Sequence, residues 1–283
     1  MISEVNWAAV WKARMTANQQ LKEEPVYAGL WESRSSAKKY DAIVRSDGKA
    51  GVKELQQRMD ISPSNKVLDI GAGPGTHAIW LSRLVDHVLA VEPATGMFDV
   101  LGENLERESI KNVSRLRKKW ETIALDELDT PYDIVLASLS LGMPDIRPAL
   151  EKMDRACSGN VYLVWPAGLT PWGKSFAEAW PLLHGIEYVP GPKADVLFNT
   201  LYQMGICPDV QLYVENYEEY FQTLDEAIDY YRPMYCASTP EKEIALIRYL
   251  GKKLNRSPAG FSYRGIAPMA IISWDVMTNR ITR

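Results

Sequence analysis

A glycine-rich segment near residue 70 contains the residues best suited to bind a ligand. Residues 67–76 read Val-Leu-Asp-Ile-Gly-Ala-Gly-Pro-Gly-Thr, so an apolar stretch runs into three glycines at alternate positions. Glycine lets the backbone turn tightly and approach a ligand without an intervening side chain. A helix that begins after such a turn offers free N–H groups and a positive partial charge. The segment therefore predicts a loop that binds a carboxylate or a phosphate.

Two carboxylates narrow the choice of ligand. Asp69 lies two residues before the first glycine. Glu92 comes 23 residues after Asp69, at the end of the next predicted strand. A carboxylate at the latter place can accept both hydroxyl hydrogens of a ribose. A dinucleotide site normally reads G-x-G-x-x-G/A, but Thr76 occupies the third position here. Asp69 would also repel a pyrophosphate, whereas it suits the ammonium group of an amino acid.

An amino-acid head, a ribose and an adenine together describe S-adenosylmethionine. The chemistry of the segment favours this methyl donor. A nicotinamide or flavin site and a merely structural glycine turn are the minor alternatives.

The elements around the loop alternate between strands and helices from residue 66 onward, which is typical of a parallel α/β sheet. The predicted strands cover residues 66–70, 87–92, 113–119, 132–138 and 160–165, with helices over 76–84, 97–108 and 146–156. Gly159 is predicted to end the last of these helices as a left-handed cap. Further helices are predicted over residues 3–21, 27–40, 48–59, 173–184 and 193–204, and two more are predicted to begin at Thr223 and Thr239. Further strands are predicted over residues 210–220, 261–264 and 267–274.

The stretch from residue 66 to 165 resembles the class I S-adenosylmethionine-dependent methyltransferases. The resemblance implies a three-layer, Rossmann-like α/β fold, with a seven-stranded, mostly parallel sheet and helices on both faces. We expect residues 1–60 to form an N-terminal helical cap. Residues 61–283 would then form the methyltransferase domain, with helical insertions at about 170–190 and 223–255.

The resemblance also assigns residues to the cofactor. By family pattern Asp69 and the glycine loop hold the methionine moiety, and Glu92 holds the ribose. Residues 92–97 are similar to an acid–x–s–x–x–M stretch whose methionine lies against adenine. The full set of cofactor-binding residues implied is Tyr40, Asp69, Gly71, Ala72, Gly73, Gly75, Glu92, Pro93, Met97, Trp120, Glu121 and Ser138. Of these, Trp120 and Glu121 would cap adenine, and Ser138 would face the transferred methyl group.

The sequence says less about the methyl acceptor. The methyl donor is already activated, so the protein mainly has to position the acceptor and exclude water. No catalytic residue is assigned. His184 and Tyr202 are candidates for a general base. The chain has 9 Trp and 14 Tyr but only 5 Phe, and most of these aromatics fall outside the cofactor half. They favour a small-molecule acceptor held under a lid made by the N-terminal helices and residues 223–254, with S-adenosylhomocysteine as the product.

Charge and composition exclude several classes. A net charge of −4, from 32 Lys+Arg and 36 Asp+Glu, argues against a protein that binds nucleic-acid backbone. Three separate cysteines and three histidines without ligand spacing argue against a disulfide framework and a metal site. Neither a signal peptide nor a membrane segment is visible, so we expect a cytoplasmic protein. We also expect it to be a monomer or a homodimer. An RNA or protein methyltransferase, or a non-catalytic cofactor-binding protein, remain alternatives.

Overall fold

The computed structural model describes residues 5–22, 29–46 and 50–278. These residues form eight strands in one sheet with the order β3-β2-β1-β4-β5-β8-β6, and the short β7 pairs with β8 off this path. The strands are β1 (Lys66–Ile70), β2 (His87–Val91), β3 (Val113–Leu116), β4 (Tyr132–Ser138), β5 (Cys157–Pro166), β6 (Asp209–Phe221), β7 (Asn255–Ser257) and β8 (Gly260–Asp275). β1 to β5 are parallel to one another, whereas β8 is antiparallel to both β5 and β6.

Helices cover both faces of this sheet. They are α1 (Trp7–Leu21), α2 (Arg34–Ser46), α3 (Ala50–Gln56), α4 (Thr76–Leu81), α5 (Thr95–Arg107), α6 (Ile146–Ala156), α7 (Pro171–His184), α8 (Ala194–Gln203), α9 (Leu224–Met234) and α10 (Pro240–Lys253). Three begin at a Thr whose hydroxyl accepts a backbone N–H of the first turn, which is the preferred N-cap arrangement: Thr170, Thr223 and Thr239. The predicted Rossmann-like fold is confirmed. The predicted helices that start at residues 3, 27 and 48 begin outside the described residues.

The antiparallel edge of the sheet extends beyond its parallel strands. β5 ends at Pro166, opposite Met269, and Met269 in turn pairs with Tyr213. β6 runs in the same direction as β1. Residues 214–221 of β6 and 261–268 of β8 therefore extend beyond the carboxyl ends of the parallel strands. We call this two-stranded projection the ribbon.

Three details differ from the sequence predictions. The sheet has eight strands rather than seven, because the three-residue β7 adds to β8. The two predicted C-terminal strands form one strand, β8, that runs through Pro268. Gly159 lies inside β5 rather than capping α6, since the chain enters the strand directly at Cys157. A side chain at Gly159 would meet the Asp133 carbonyl oxygen at 2.5 Å, so its role is to allow close strand packing.

The aromatic residues of the additions mostly pack inside the chain. Trp11 of α1 is fully buried, and its indole N–H donates to the Met143 carbonyl at 2.8 Å. α7, α9 and α10 share an aromatic cluster in which the Tyr235 hydroxyl donates to Ser175 at 2.6 Å. Trp11 therefore docks α1 onto its own domain, over the loop that follows β4. No helix among the described residues is long and apolar enough to cross a membrane.

Candidate active site

The glycine loop turns sharply at the carboxyl end of β1. Gly71, Gly73 and Gly75 all have positive φ, at 72°, 56° and 95°. A side chain at Gly71 would meet Ser140 at 2.2 Å, and one at Gly75 would meet Leu101 at 2.5 Å, so both positions are closed by neighbouring elements. A side chain at Gly73 would meet nothing within 4 Å. Gly73 is thus the point at which the loop backbone faces open space.

The Glu92 carboxylate is tied to this loop. Its Oε2 accepts the N–H of Gly73 and its Oε1 accepts the N–H of Ala94, both at 2.8 Å. Burial raises the pKa of Glu92, and the two backbone N–H groups oppose that rise. Each oxygen retains a second acceptor position. The side chain is thereby held at the carboxyl edge beside the open face of Gly73.

Asp69 carries an unpartnered buried oxygen. The side chain is 1% exposed, and its Oδ2 has no hydrogen-bond partner within the part of the chain that the structure describes. Burial, followed by the charge of Glu92, raises the pKa of Asp69 to about 7, and the Ala78 backbone N–H opposes the rise. A buried acceptor without a donor is costly. A bound cationic or N–H-bearing group would relieve that cost.

The N-terminal segment closes one side of the site. Glu32 accepts the N–H of Thr95 at 2.8 Å, at the start of α5. A side chain at Gly96 would meet the Trp31 carbonyl oxygen at 2.7 Å, so this segment and α5 are in close backbone contact. Tyr40 packs edge-on against Trp31, with ring centroids 5.1 Å apart. Met97 is buried in the same small cluster.

The ribbon carries two carboxylates on its inward face. Alternate residues of a strand point to the same face, and the odd-numbered residues of β6 from Tyr213 to Phe221 face inward. Burial, and then the charges of Glu215, Glu92 and Glu219, raise the pKa of Tyr40 to about 12. Tyr40 therefore lies within electrostatic reach of both the cofactor loop and the ribbon.

Glu219 is buried among tyrosine hydroxyls. It is 3% exposed, and the Tyr231 hydroxyl donates to its Oε2. Burial raises the pKa of Glu219, and hydrogen bonds from Tyr217, Tyr231 and Tyr230 oppose that rise. The Tyr231 phenol thus helps to hold the carboxylate in place.

The loop after β4 completes the site. Ser138 is half-buried, and Ser140 Oγ donates to the Ile70 carbonyl at 2.6 Å, which joins this loop to the end of β1. Between them Leu139 has a φ of 54° and is 45% exposed. A positive φ is strained for a leucine, and such strain concentrates at functional sites.

Four further sequence-predicted residues are described by their burial and contacts. The Trp120 ring is 2% exposed in the main core, and its indole N–H donates to the Ala149 carbonyl. Pro93 and Glu121 are exposed. Ala72 is buried, and its N–H donates to the Val91 carbonyl at 3.0 Å, in the glycine loop where it was expected.

The two candidate general bases have other surroundings. A ring nitrogen of His184 is hydrogen-bonded to the Tyr235 carbonyl at 2.9 Å, and the ring stacks on Trp180 within the aromatic cluster. Tyr202 is 53% exposed on α8 and stacks on Phe198.

Sequence reasoning missed the ribbon carboxylates and Asn104. Asn104 is 1% exposed on α5, and its amide donates to the Pro74 carbonyl at 2.8 Å, which fixes the glycine loop from below. A buried asparagine has no clear sequence signal. The alternation of Tyr213, Glu215, Tyr217 and Glu219 does show that these residues share a face, but not what that face covers.

Comparisons with known proteins agree with this geometry. Residues 67–159 match a family model described as a methyltransferase domain. A protein-L-isoaspartate O-methyltransferase of Protochlamydia amoebophila is 32% identical over 118 residues, which cover 40% of this chain and 51% of the relative. The chain therefore spans about half the length of that relative.

Two further similarities extend over most of the chain. An uncharacterised protein of Haemophilus influenzae is 26% identical over 284 residues, covering 97% of this chain and 98% of the relative. The solved YcgJ protein of Bacillus subtilis has a TM-score of 0.56 at 17% identity, covering 79% of this chain and 97% of that one, and so shares the fold.

The fold is a Rossmann-like sheet with a glycine loop, one acid before the loop and a second acid after β2. This combination is typical of cofactor-binding transferases. Residues 67–159 therefore form a methyltransferase domain, and the chain has the Rossmann-like fold of the class I S-adenosylmethionine-dependent methyltransferases. The cofactor of this family is S-adenosylmethionine. The residues present fit it, because the unpartnered oxygen of Asp69 and the open face of Gly73 both lie at the loop.

Proposed function

We propose that this protein transfers a methyl group from S-adenosylmethionine to a small-molecule acceptor enclosed between the N-terminal segment and the ribbon. One observation carries the proposal. α2 packs on two sides, since Tyr40 lies in the cluster with Met97 beside the cofactor loop and Ile43 packs against the aromatic cluster that holds Tyr217 and Phe221 of the ribbon. A segment that joins the cofactor loop to the ribbon in this way favours a compact acceptor over a polymer.

The cofactor would be held by the loop and its two acids. Asp69 Oδ2 would accept the ammonium group of the methionine moiety, which supplies the donor that this oxygen lacks. The remaining acceptor positions of Glu92 would take the ribose hydroxyls. Gly71, Gly73 and Gly75 would bring the backbone close to the cofactor, with Met97 at the adenine and Ser138 near the methyl group.

The bound cofactor supplies an activated methyl group on a positively charged sulfur. The protein must then align an acceptor atom with that group and keep water away. Tyr40, Leu139 and the inward face of the ribbon would form the walls of the acceptor space. α1, docked through Trp11 over the loop after β4, would close it from the other face of the sheet.

A protein carboxyl acceptor is the second candidate, because the isoaspartate methyltransferase is similar over 118 residues. That similarity covers 40% of this chain and 51% of the relative. An isoaspartyl side chain is a carboxylate. A second carboxylate beside the buried Glu219 would be costly, which disfavours this candidate.

The test separates acceptors by size. The purified protein is incubated with methyl-labelled S-adenosylmethionine and a cell extract divided by ultrafiltration into small molecules and macromolecules. We expect the label in the small-molecule fraction, with S-adenosylhomocysteine formed in equal amount. Label that appears instead in the macromolecular fraction, and is released by protease or ribonuclease, would refute the small-molecule acceptor.

A further inference from the structure

One buried side chain joins the glycine loop to the N-terminal segment. Asn104 of α5 is 1% exposed, and its amide nitrogen donates to the Pro74 carbonyl at 2.8 Å and to the Asp41 carboxylate at 3.1 Å. Pro74 lies in the glycine loop, and Asp41 lies on α2, directly after Tyr40. We call these two hydrogen bonds the Asn104 bridge.

The chemistry of the bridge requires an NH2 group. Both of its partners accept hydrogen bonds, since a carbonyl oxygen and a carboxylate have no hydrogen to donate. An asparagine amide carries two hydrogens on one nitrogen and serves both partners at once. A hydroxyl at the same place could donate only one hydrogen. The glycine loop and α2 are therefore held by the same nitrogen.

The loop end of the bridge lies next to the open point of the glycine loop. Pro74 follows Gly73, whose N–H donates to Glu92 at 2.8 Å and where a side chain would meet nothing within 4 Å. Two side chains thus hold consecutive loop residues, Glu92 from the end of β2 and Asn104 from α5. A cofactor that contacts Gly73 and Glu92 would restrict the same stretch of backbone that presents the Pro74 carbonyl to Asn104.

The other contacts between α2 and α5 are weaker or few. Arg34 and Lys38 both pair with Glu103, but these two basic side chains are more than half exposed, and exposed ion pairs contribute little. Among the described residues, the apolar contact between the two helices is a small cluster whose buried members are Ala37, Ala94, Met97 and Val100. The buried Asn104 bridge therefore has a large share in fixing α2 on α5.

We propose that Asn104 is a positioning residue that couples occupancy of the glycine loop to the position of α2, so that a bound cofactor holds α2 and Tyr40 against α5. The inference rests on the cofactor-binding part of the proposed function and not on the identity of the methyl acceptor. The coupling acts through Pro74 and Asp41. It is reciprocal, because the factor by which the ligand favours the docked helix equals the factor by which the docked helix strengthens ligand binding.

Hydrogen–deuterium exchange followed by mass spectrometry measures this coupling, because amide exchange reports local opening. The full chain is compared free and saturated with S-adenosylhomocysteine, and exchange is measured in peptides from α2 and, separately, from the glycine loop. In the wild type we expect the ligand to slow exchange in α2 by about fivefold or more, the lower end of typical coupling between sites. Slower exchange in the glycine loop shows that the ligand is bound.

Variants of Asp41 open the bridge without replacing the buried Asn104. In Asp41→Ala the ligand should still protect the loop, but it should slow exchange in α2 by less than about twofold, and its affinity in calorimetry should fall by about fivefold or more. Asp41→Asn should restore both values, because an amide oxygen can accept from Asn104 at the same place. A merely structural Asp41 would instead change exchange in the free and the bound protein by the same factor.

Arg45 supplies the matched control. Its Nε donates to Asp41 Oδ2 at 2.9 Å, so Asp41→Ala removes an ion pair as well as the bridge. Arg45→Gln breaks this ion pair and leaves the Asn104 bridge in place. It should keep the protection of α2 and the ligand affinity of the wild type. Circular dichroism of the three variants checks that they fold.

The outcomes separate this inference from the proposed function. Protection of α2 that persists in Asp41→Ala would come from direct contact with the ligand and would overturn the coupling. Absence of protection in the wild type, its loss in Arg45→Gln, or no recovery in Asp41→Asn would overturn it as well. Each of these results leaves the methyltransferase proposal intact, whereas failure of S-adenosylhomocysteine to bind would overturn both.

Discussion

The Glu92 carboxylate accepts the backbone N–H of Gly73 at 2.8 Å, which joins the end of β2 to the one point of the glycine loop that faces open space. The same side chain holds the N–H of Ala94, just before α5. Glu92 therefore shapes the loop before any ligand arrives. A second function, contact with the ribose, would then use acceptor positions already fixed in space.

Replacing Glu92 should weaken cofactor binding for two reasons. The glycine loop loses a hydrogen bond that shapes it, and the ribose loses its acceptor. For Glu92→Ala we expect S-adenosylhomocysteine to bind at least tenfold more weakly, a loss of about 1.4 kcal/mol or more, as hydrogen bonds to a charged group are worth roughly that. Calorimetry measures the change. Glu106→Gln, an exposed acid on α5, is the control and should bind normally. An unaltered affinity in Glu92→Ala would contradict the assigned role.

Asp69 should make the cofactor-free protein less stable as pH rises. Its pKa is about 7 when folded and near 3.8 in an unstructured chain, so the folded state retains a proton that the unfolded state loses. The stabilising contribution is complete below about pH 4 and disappears as pH rises to about 7. Across that window the shift corresponds to about 4 kcal/mol at most.

The variant Asp69→Asn removes this titration. We expect it to be more stable than the wild type in urea unfolding above pH 7, by about 1–4 kcal/mol, with a smaller dependence on pH between 4 and 7. It should at the same time bind S-adenosylhomocysteine more weakly, since a neutral amide cannot form an ion pair with the ammonium group. Equal unfolding curves for the two proteins at pH 8 would show that Asp69 does not carry a buried charge.

The glycines of the loop should respond differently to alanine. Gly73→Ala faces open space, so its cost to stability should be limited to the backbone strain of a left-handed residue, about 1–2 kcal/mol. Its methyl group points to the ligand side and should reduce S-adenosylhomocysteine affinity. Gly75→Ala adds a clash with Leu101 and should lower the unfolding free energy further. Urea unfolding and calorimetry on both variants test the contrast; equal stability of the two would contradict it.

Tyr231→Phe should destabilise the protein by leaving the buried Glu219 carboxylate with fewer donors. We expect a loss of about 1–3 kcal/mol in the unfolding free energy. The control is Tyr220→Phe, since Tyr220 is 44% exposed on the outer face of the ribbon. Chemical denaturation of the two variants gives the comparison. If Tyr231→Phe unfolds like the control, the phenol does not support Glu219.

The sequence predicted the cofactor half of the fold well because its signals are local. β1 and β4 begin and end at the predicted residues, and the helix over 146–156 has the predicted bounds. Each depends on a short apolar run with turn residues beside it. The glycine loop is equally local, since its positive φ values need glycine and its sequence is contiguous.

The acceptor side could not be derived in the same way. Pairing between β6 and β8 joins residues such as Glu215 and Ala267, which are 52 positions apart. The sequence shows alternation in β6, but not that the strand continues past its neighbour β5. Trp120 follows β3 as the family pattern predicts, and long-range packing, which the sequence does not show, places its ring in the core.

The ribbon also bears on how such a protein can diverge. The ribbon lies at the antiparallel edge of the sheet and is joined to the parallel strands through β8. Changes in its length or in its inward residues therefore leave the pairing registers of β1 to β5 unchanged. Under the proposed function, donor recognition and acceptor choice therefore lie on separate elements of the fold. Substitutions on the inward face of the ribbon would then change the acceptor without altering the residues that hold the methyl donor.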